Sequence, residues 1–296
     1  MRSRREDGCR SNRHQSARLL ARRHRTGSQA RNGGAELLIG TWNVNGIRAR
    51  LDRLLEWLDL RQPTVVCLQE LKANEESFPW DEIQRAGYTA VAACQKAWNG
   101  VAVLARGTGT GTANLIEAGL PGMEEFGARV VTAEIQGGMK VMSVYVPNGK
   151  SVEHEDYARK LEWLGALRDY LAESFTSDEK VVIAGDFNIA PADIDSYDPM
   201  RLEGTIFHTE SERAAYQGLI DLGYADLFRD LDPETPGYSW WDYRGGAFHK
   251  NLGLRIDLIL ASPPVSQVCE RVWIDRDFRK GQKPSDHAPL IAELAG

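Results

Sequence analysis

Four short strings, far apart in the chain, carry one kind of chemistry: Thr-Trp-Asn-Val-Asn-Gly with Asn43 and Asn45, Leu-Gln-Glu ending at Glu70, Gly-Asp-Phe-Asn with Asp186 and Asn188, and Ser-Asp-His with Asp286 and His287. Each follows or ends an apolar run of strand length, so each places an oxygen or imidazole donor at a strand end. Side chains at neighbouring strand ends can converge on one point. Carboxylates, carboxamides and one imidazole suit a hard divalent cation such as Mg2+ or Mn2+. A cation beside a His and an Asp is the equipment for hydrolysing a phosphate ester.

The individual residues sharpen this. Glu70 ends an apolar run, where a charge is costly unless paired or metal-bound. Asn43 and Asn45 flank Val44 and share a face if the strand continues; the competing reading is turn chemistry before Gly46. Asp186 and Asn188 are also two apart, beside Gly185, and fall on one side of an extended segment. Hydrolysis needs an activated water and stabilised transition-state charge, and such a pair could supply both. Asp257 lies inside the apolar Arg-Ile-Asp-Leu-Ile-Leu. A buried Asp that accepts from an imidazole fixes its tautomer and raises its pKa, which pairs Asp257 with His287. The stretch 238–251 interleaves Trp240, Trp241 and other aromatics with Arg244, His249 and Lys250. Aromatics beside cations can form a pocket for an extruded sugar and grip a backbone; the alternative is a core plug. Arg48, Arg50 and Lys72 read as phosphate contacts or as plain surface charge.

The elements that must position these groups follow from periodicity. Strands are expected at 37–42, 64–69, 88–93, 101–105, 180–185, 255–261, 269–274 and 289–294. A hairpin spans 129–146, with Gly137-Gly138 predicted to form a primed turn. Helices are expected over 51–60, with apolar residues at helical spacing, over 153–175, with Leu161, Leu164, Leu167 and Leu171 on one stripe, and near 210–222. Hairpins mixed with helices point to stacked, largely antiparallel sheets with helices outside. No fixed-period repeat is present.

Taken in order, Trp-Asn-Val-Asn-Gly-Ile-Arg-Ala-Arg, Leu-Gln-Glu, Tyr-Val-Pro-Asn-Gly, Gly-Asp-Phe-Asn-Ile-Ala, Gly-Leu-Arg-Ile-Asp-Leu-Ile-Leu-Ala-Ser and Lys-Pro-Ser-Asp-His-Ala-Pro-Leu resemble the exonuclease III family of apurinic/apyrimidinic (AP) endonucleases. The similarity runs from about Leu37 to the C-terminus. It implies an α/β (α+β) fold, a four-layer α/β/β/α sandwich with the active site at one end of two facing sheets. It implies Mg2+ or Mn2+ dependence, cleavage 5′ to abasic sites, and 3′→5′ exonuclease activity. It implies metal ligands among Asn43, Glu70, Asp186, Asn188, Asp286 and His287, and catalytic roles for Tyr145, Asp186, Asn188, Asp257 and His287. DNA contacts are implied for Arg48, Asn148, Trp240, Trp241, Lys250 and His287. The partner implied is double-stranded DNA with abasic sites or blocked 3′ ends, bound by a monomer in a bacterial-type cytoplasm, near the nucleoid. Another phosphodiesterase of the wider superfamily, acting on RNA tails, inositol phosphates or sphingomyelin, would use the same metal site. A catalytically dead nucleic-acid scaffold would have lost one of these residues, and none is lost.

Charge divides the chain. Residues 1–35 hold ten Arg, no Lys, one Asp and one Glu, a net of +8; the whole chain is −6, so residues 36–296 carry −14. A globally basic DNA-binding core is excluded; nucleic acid would have to meet a local basic strip and a metal. The extension has too little apolar content for a core and is expected to be disordered, leaving 36–296 as one catalytic domain. It reads as a solvated tail, a basic arm for polyanions, a transit peptide or a start assigned too far upstream. The four cysteines, Cys9, Cys67, Cys94 and Cys269, form no Cys-x-x-Cys; Cys67 and Cys94 are expected to be buried thiols in a reducing compartment. No apolar run is long enough to span a membrane.

Overall fold

The computed structural model describes residues 37–107 and 112–296. The expected boundary at residue 35, and the extension with Cys9, lie outside them. Twelve strands are present among the described residues: β1 (Leu37–Asn43), β2 (Val65–Gln69), β3 (Tyr88–Ala93), β4 (Val101–Arg106), β5 (Ala113–Ala118), β6 (Val130–Ile135), β7 (Met139–Tyr145), β8 (Val181–Asp186), β9 (Ala225–Asp226), β10 (Asp257–Ala261), β11 (Cys269–Ile274) and β12 (Leu290–Leu294). They form two six-stranded sheets, ordered β11-β12-β1-β2-β4-β3 and β5-β6-β7-β8-β10-β9. Only β1–β2 and β7–β8 pair in parallel; the other pairs are antiparallel. Four helices matter most: α1 (Leu51–Arg61), α2 (Trp80–Arg85), α3 (Glu155–Ser174) and α4 (Glu210–Ile220).

Strand alternation produces the layers. Along β2, Val65 and Cys67 point into the space between the sheets, while Val66 and Leu68 point outward to meet Leu54, Trp57 and Leu58 of α1. Along β8, Val182 and Ala184 face inward, and Val181 and Ile183 face Trp163, Leu164, Leu167 and Leu171 of α3. Helices therefore cover both outer faces, and the four-layer α/β/β/α sandwich expected from the sequence is the fold found. Among the described residues, the apolar core between the sheets holds a satisfied polar set. The Gln69 side-chain amide donates to Thr41 Oγ1 and across to Ser143 Oγ, each at 3.1 Å, and Ser143 Oγ donates to the Leu68 carbonyl.

The topology gathers the site. Parallel β1 and β2 end together at Asn43 and Gln69, and parallel β7 and β8 end together at Tyr145 and Asp186. Asp257 opens β10 directly opposite Asp186. Gly185 is required there: a Cβ would stand 1.9 Å from the Val144 carbonyl oxygen of β7.

Several expectations needed correction. Strand β5 was not foreseen; its residues are mostly exposed at a sheet edge, so it lacks the buried apolar run that marks the others. The Gly137-Gly138 turn is not primed. Ile135 pairs with Met139 across a three-residue loop, and Gln136 has no positive φ while both glycines do. Leu161 is only half-buried, and the face of α3 that packs inward uses Trp163 instead. Cys67 is buried, but Cys94 is only partly so.

Candidate active site

The site begins with backbone that ordinary residues resist. Asn45, Glu70, Lys72 and Asn188 all adopt positive φ, from 48° to 51°. Such conformations are uncommon outside glycine and gather at functional sites. Each lies just past the end of β1, β2 or β8, where the chain leaves its ladder and aims a side chain at the shared centre. The Asn residues tolerate this geometry; nothing in the residue types of Glu70 and Lys72 announces it.

At the centre, ligand atoms of Glu70, Asp186 and His287 lie within 4.8 Å of one another. Asn43 bridges the two carboxylates: its Nδ2 donates to Glu70 Oε1 at 2.8 Å and to Asp186 Oδ2 at 2.9 Å. The Asn43 Oδ1 is taken by the Asn45 backbone N–H at 3.0 Å. Asn43 thus meets the cluster as a donor, and as a metal ligand it would have to turn its amide over. The second Glu70 oxygen is held by Lys72 Nζ at 2.7 Å, and Lys72 also donates to Asn45 Oδ1 at 2.6 Å. A residue read as a phosphate contact or surface charge therefore serves inside the site.

His287 is held from behind. Asp257 Oδ2 lies 2.8 Å from its Nδ1, leaving Nε2 facing Asp186 Oδ2 at 3.7 Å. Asp257 is fully buried, and its other oxygen has no partner. Burial disfavours the charged imidazole, but Asp257 and Asp186 outweigh it and raise the His287 pKa to about 10. Burial likewise raises the Asp186 pKa to about 7, with Asp257 and Glu70 adding to it and His287 and the Asn43 amide opposing. An imidazolium whose free nitrogen faces the cluster repels a cation and attracts a phosphate, so the ligand and phosphate-binding assignments for His287 are mutually exclusive while it is protonated.

Asp286 is not part of this trio. Its Oδ1 accepts from Asn45 Nδ2 at 2.9 Å and its Oδ2 from Trp240 Nε1 at 3.1 Å. Burial pushes its pKa up, but His287 and those two donors prevail and hold it below the usual carboxylate range. Asn188 is likewise occupied. Its Nδ2 donates to the Val146 carbonyl at 3.0 Å, and its Oδ1 accepts from Asn148 Nδ2 at 3.3 Å.

Tyr145 comes from the second sheet, where it ends β7 in register with Asp186. Burial raises its pKa far above the ordinary phenol value, and Glu70 and Asp186 reinforce this. Arg129, which sequence reasoning missed, stacks its guanidinium 4.8 Å from the Tyr145 ring centroid and donates to the Tyr145 carbonyl at 3.2 Å. Its only sequence signal is a charge opening an apolar strand. A cavity of ≈ 420 Å³ opens beside these residues, lined by Glu70, Lys72, Arg129, Tyr145, Asn148 and the exposed Trp98.

The other expected contacts divide. Trp240 is half-buried, tethered to Asp286 and bridged to Leu254 and His287. Trp241 is 1 % exposed, packed against Phe248 and Arg276. It is a core plug, and the structure does not bring it to the site surface. Arg48 is exposed and donates to the Ser77 carbonyl; Lys250 is exposed at the end of a short helix, Ala247–Lys250; Asn148 is exposed beside Asn188.

The model of the endonuclease/exonuclease/phosphatase family matches residues 40–287. The chain belongs to this family. Within it, the chain is 36% identical over 266 residues to exodeoxyribonuclease III of Haemophilus influenzae, covering 86% of this chain and 98% of that one. It is 31% identical to the DNA repair nuclease APEX1 of Danio rerio, over 88% of this chain and 83% of that one. Among solved structures, the 3′-5′ exonuclease of Neisseria meningitidis superposes with a TM-score of 0.84 at 38% identity, and an AP endonuclease of Archaeoglobus fulgidus with 0.84 at 36%. Each covers 88% of this chain and 100% of its own.

Proposed function

We propose that the protein is a metal-assisted DNA-repair phosphodiesterase that cuts 5′ to abasic sites and removes nucleotides or blocking groups from 3′ ends. The observation that carries this reading is the convergence of Glu70, Asp186 and His287 from both sheets, with Asp257 buried behind the imidazole. It is supported by the relatives named exodeoxyribonuclease III and AP endonuclease, and by a Neisseria structure described as a 3′ phosphatase bound to a product DNA hairpin, 37% identical with a TM-score of 0.83.

The residues present fit a divalent cation. Glu70 and Asp186 offer hard oxygens within 4.8 Å of each other, the donor type such a cation takes. Glu70 and Asp186 would hold it, with Asn43 beside them; Mg2+ or Mn2+ matches such a donor set. When bound, it polarises the phosphoryl oxygens and offsets the charge that develops on them.

The chain supplies the rest. Asp186 orients water and takes its proton. The His287 imidazolium, held in one tautomer by Asp257, donates from Nε2 to a phosphate oxygen. Tyr145 and Asn188 provide further neutral donors around that phosphate. Trp240, with Arg48, Asn148 and Lys250, lies on the DNA side in this reading, and the protein works as a monomer. An abasic nucleotide has no base to unstack, so its extrusion toward Trp240 costs little.

The test is a labelled duplex with a single abasic site, incubated with and without Mg2+ and read for cut position and 3′ end. Cleavage 5′ to the site leaving a 3′-hydroxyl, abolished by chelator, is expected. Full activity in excess chelator would overturn the metal assignment, and no cleavage of abasic or 3′-blocked DNA would overturn the substrate.

A further inference from the structure

Beneath the two asparagines of the site lies a charge that the chemistry above does not use. Lys160, on the inward face of α3, is fully buried, and its Nζ donates to the Asn188 backbone carbonyl at 2.6 Å. It reaches the Asn148 carbonyl more loosely, at 3.5 Å. Its counter-charge is Glu212 of α4, also fully buried. Glu212 in turn accepts from the backbone N–H groups of Phe207 and Thr209, each at 3.1 Å. Phe207 closes the ring: its carbonyl accepts from the Ala190 N–H at 2.9 Å, and its aromatic face lies 5.0 Å from the ammonium. The lysine stem is enclosed as well. A Cβ on Gly149, whose φ is +86°, would stand 3.2 Å from Lys160 Cδ and 3.0 Å from Ile206 Cδ1.

One ammonium therefore joins three loops: the one after β7 that carries Asn148, the one after β8 that carries Asn188, and the segment entering α4. Asn188 is pinned from both ends. Its N–H donates to Asp186 Oδ1 at 3.0 Å and its carbonyl accepts from Lys160, and these two bonds hold the peptide groups on either side of its left-handed φ of 50°. Its side chain then has one course, to the Val146 carbonyl and to Asn148. Burying a lysine is costly, and a core made only for stability would do as well with a pair of apolar side chains. The charge is spent on backbone carbonyls of site loops.

We propose that Lys160 is a positioning residue that fixes the Asn148–Asn188 side-chain pair from beneath, with Glu212 holding the ammonium in place. The proposal rests on the reading that these asparagines face the scissile phosphate. It predicts an effect on turnover rather than on substrate affinity, because a loosened donor pair weakens contacts made in the transition state.

The full chain should be compared with the double variant Lys160→Met/Glu212→Gln, which removes both charges and leaves neither unpaired. Three quantities are read: the melting curve, the side-chain amide resonances of Asn148 and Asn188 in 15N-asparagine-labelled protein, and kcat and KM on the abasic duplex. A cooperative melt, displaced or broadened Asn148 and Asn188 amides, and kcat lowered by about tenfold or more with KM nearly unchanged are expected. A folded double variant with both amides and kcat unaltered overturns the proposal and leaves an ordinary core ion pair. If the double variant does not fold, the unaltered protein decides. With 15N-lysine and 13C-carbonyl asparagine labels, a slowly exchanging Lys160 ammonium coupled through its hydrogen bond to the Asn188 carbonyl is expected. An ammonium exchanging at the solvent rate overturns the proposal. If the unaltered protein cuts no DNA, the functional reading fails separately, because the amide and ammonium signals report positioning without turnover.

Discussion

Asp186 and His287 face each other across 3.7 Å with raised pKa values, and both shifts act on the metal-free protein in the same direction. A group whose pKa is higher folded than unfolded stabilises the fold below its unfolded value, and that contribution is lost as pH rises through the folded value. For Asp186 the loss runs from its ordinary 3.8 to about 7; for His287 it runs from 6.5 to about 10. Thermal melts in chelator should therefore show stability declining from pH 6.5 to 10, and Asp257→Asn should flatten that decline. A melting temperature indifferent to pH over this range, in both proteins, would contradict the charged His287–Asp257 pair. In catalysis, Asp186→Asn and His287→Ala should each lower kcat by roughly 10²–10⁴, the usual range for acid–base groups, with abasic DNA still bound. Near-normal turnover in either would remove that residue from the mechanism.

At this scale the sequence was readable wherever chemistry needed a particular residue type. Asn43, Glu70, Asp186, Asp257 and His287 stand together because each lies at or close to a strand terminus at the same end of the sandwich. What could not be read was orientation. Whether Asn43 presents its oxygen or its nitrogen, and whether Trp240 or Trp241 is the buried ring, depends on neighbours from distant segments. Glu70 and Asp186 decide the first and Asp286 and Leu254 the second, and all are remote in sequence from the residues they constrain.

Among the elements, β8 is the most constrained. It lies between β7 and β10, is buried along its length, and ends in Asp186. A methyl group at Gly185 has nowhere to go, since the obstacle is the backbone of β7. Gly185→Ala should destabilise by about 3 kcal/mol, the upper part of the overpacking range, measured by denaturant titration, and should also reduce activity by separating Tyr145 from Asp186. An unaffected midpoint would show that β7 and β8 can part at no cost. Buried strands such as β8 were legible as uninterrupted apolar runs. Edge strand β5 was not, because its residues after Ala113 are exposed on both faces and its composition is close to that of a loop. The importance of α3 was only half legible. Its apolar stripe marks a packed face, but a lysine on that face has no distinguishing sign in the sequence.

For the whole molecule, charge is the informative quantity. Residues 36–296 carry −14 against +8 in the first 35, so any long-range attraction to DNA should be sensitive to the basic segment. Deleting residues 1–34 should leave the cut position unchanged and weaken DNA binding at low salt, with the difference vanishing as ions screen the arginines. Identical binding at every salt concentration would dismiss the basic arm. Loss of cleavage at every salt concentration would place a structural role before Leu37.

Strand β12 sits between β1 and β11, and its register sets Leu294 opposite Leu37. The earliest strand thus waits for the latest, and Asp286 and His287 are delivered just ahead of it. On a ribosome, a growing chain would hold Glu70 and Asp186 long before the imidazole arrives. Such a chain has no imidazole to set beside Asp186, so the phosphate site is incomplete until β12 joins β1. The same adjacency makes the two ends of the fold neighbours, and a short linker between them would let the chain be opened elsewhere with the catalytic end of the sheets undisturbed.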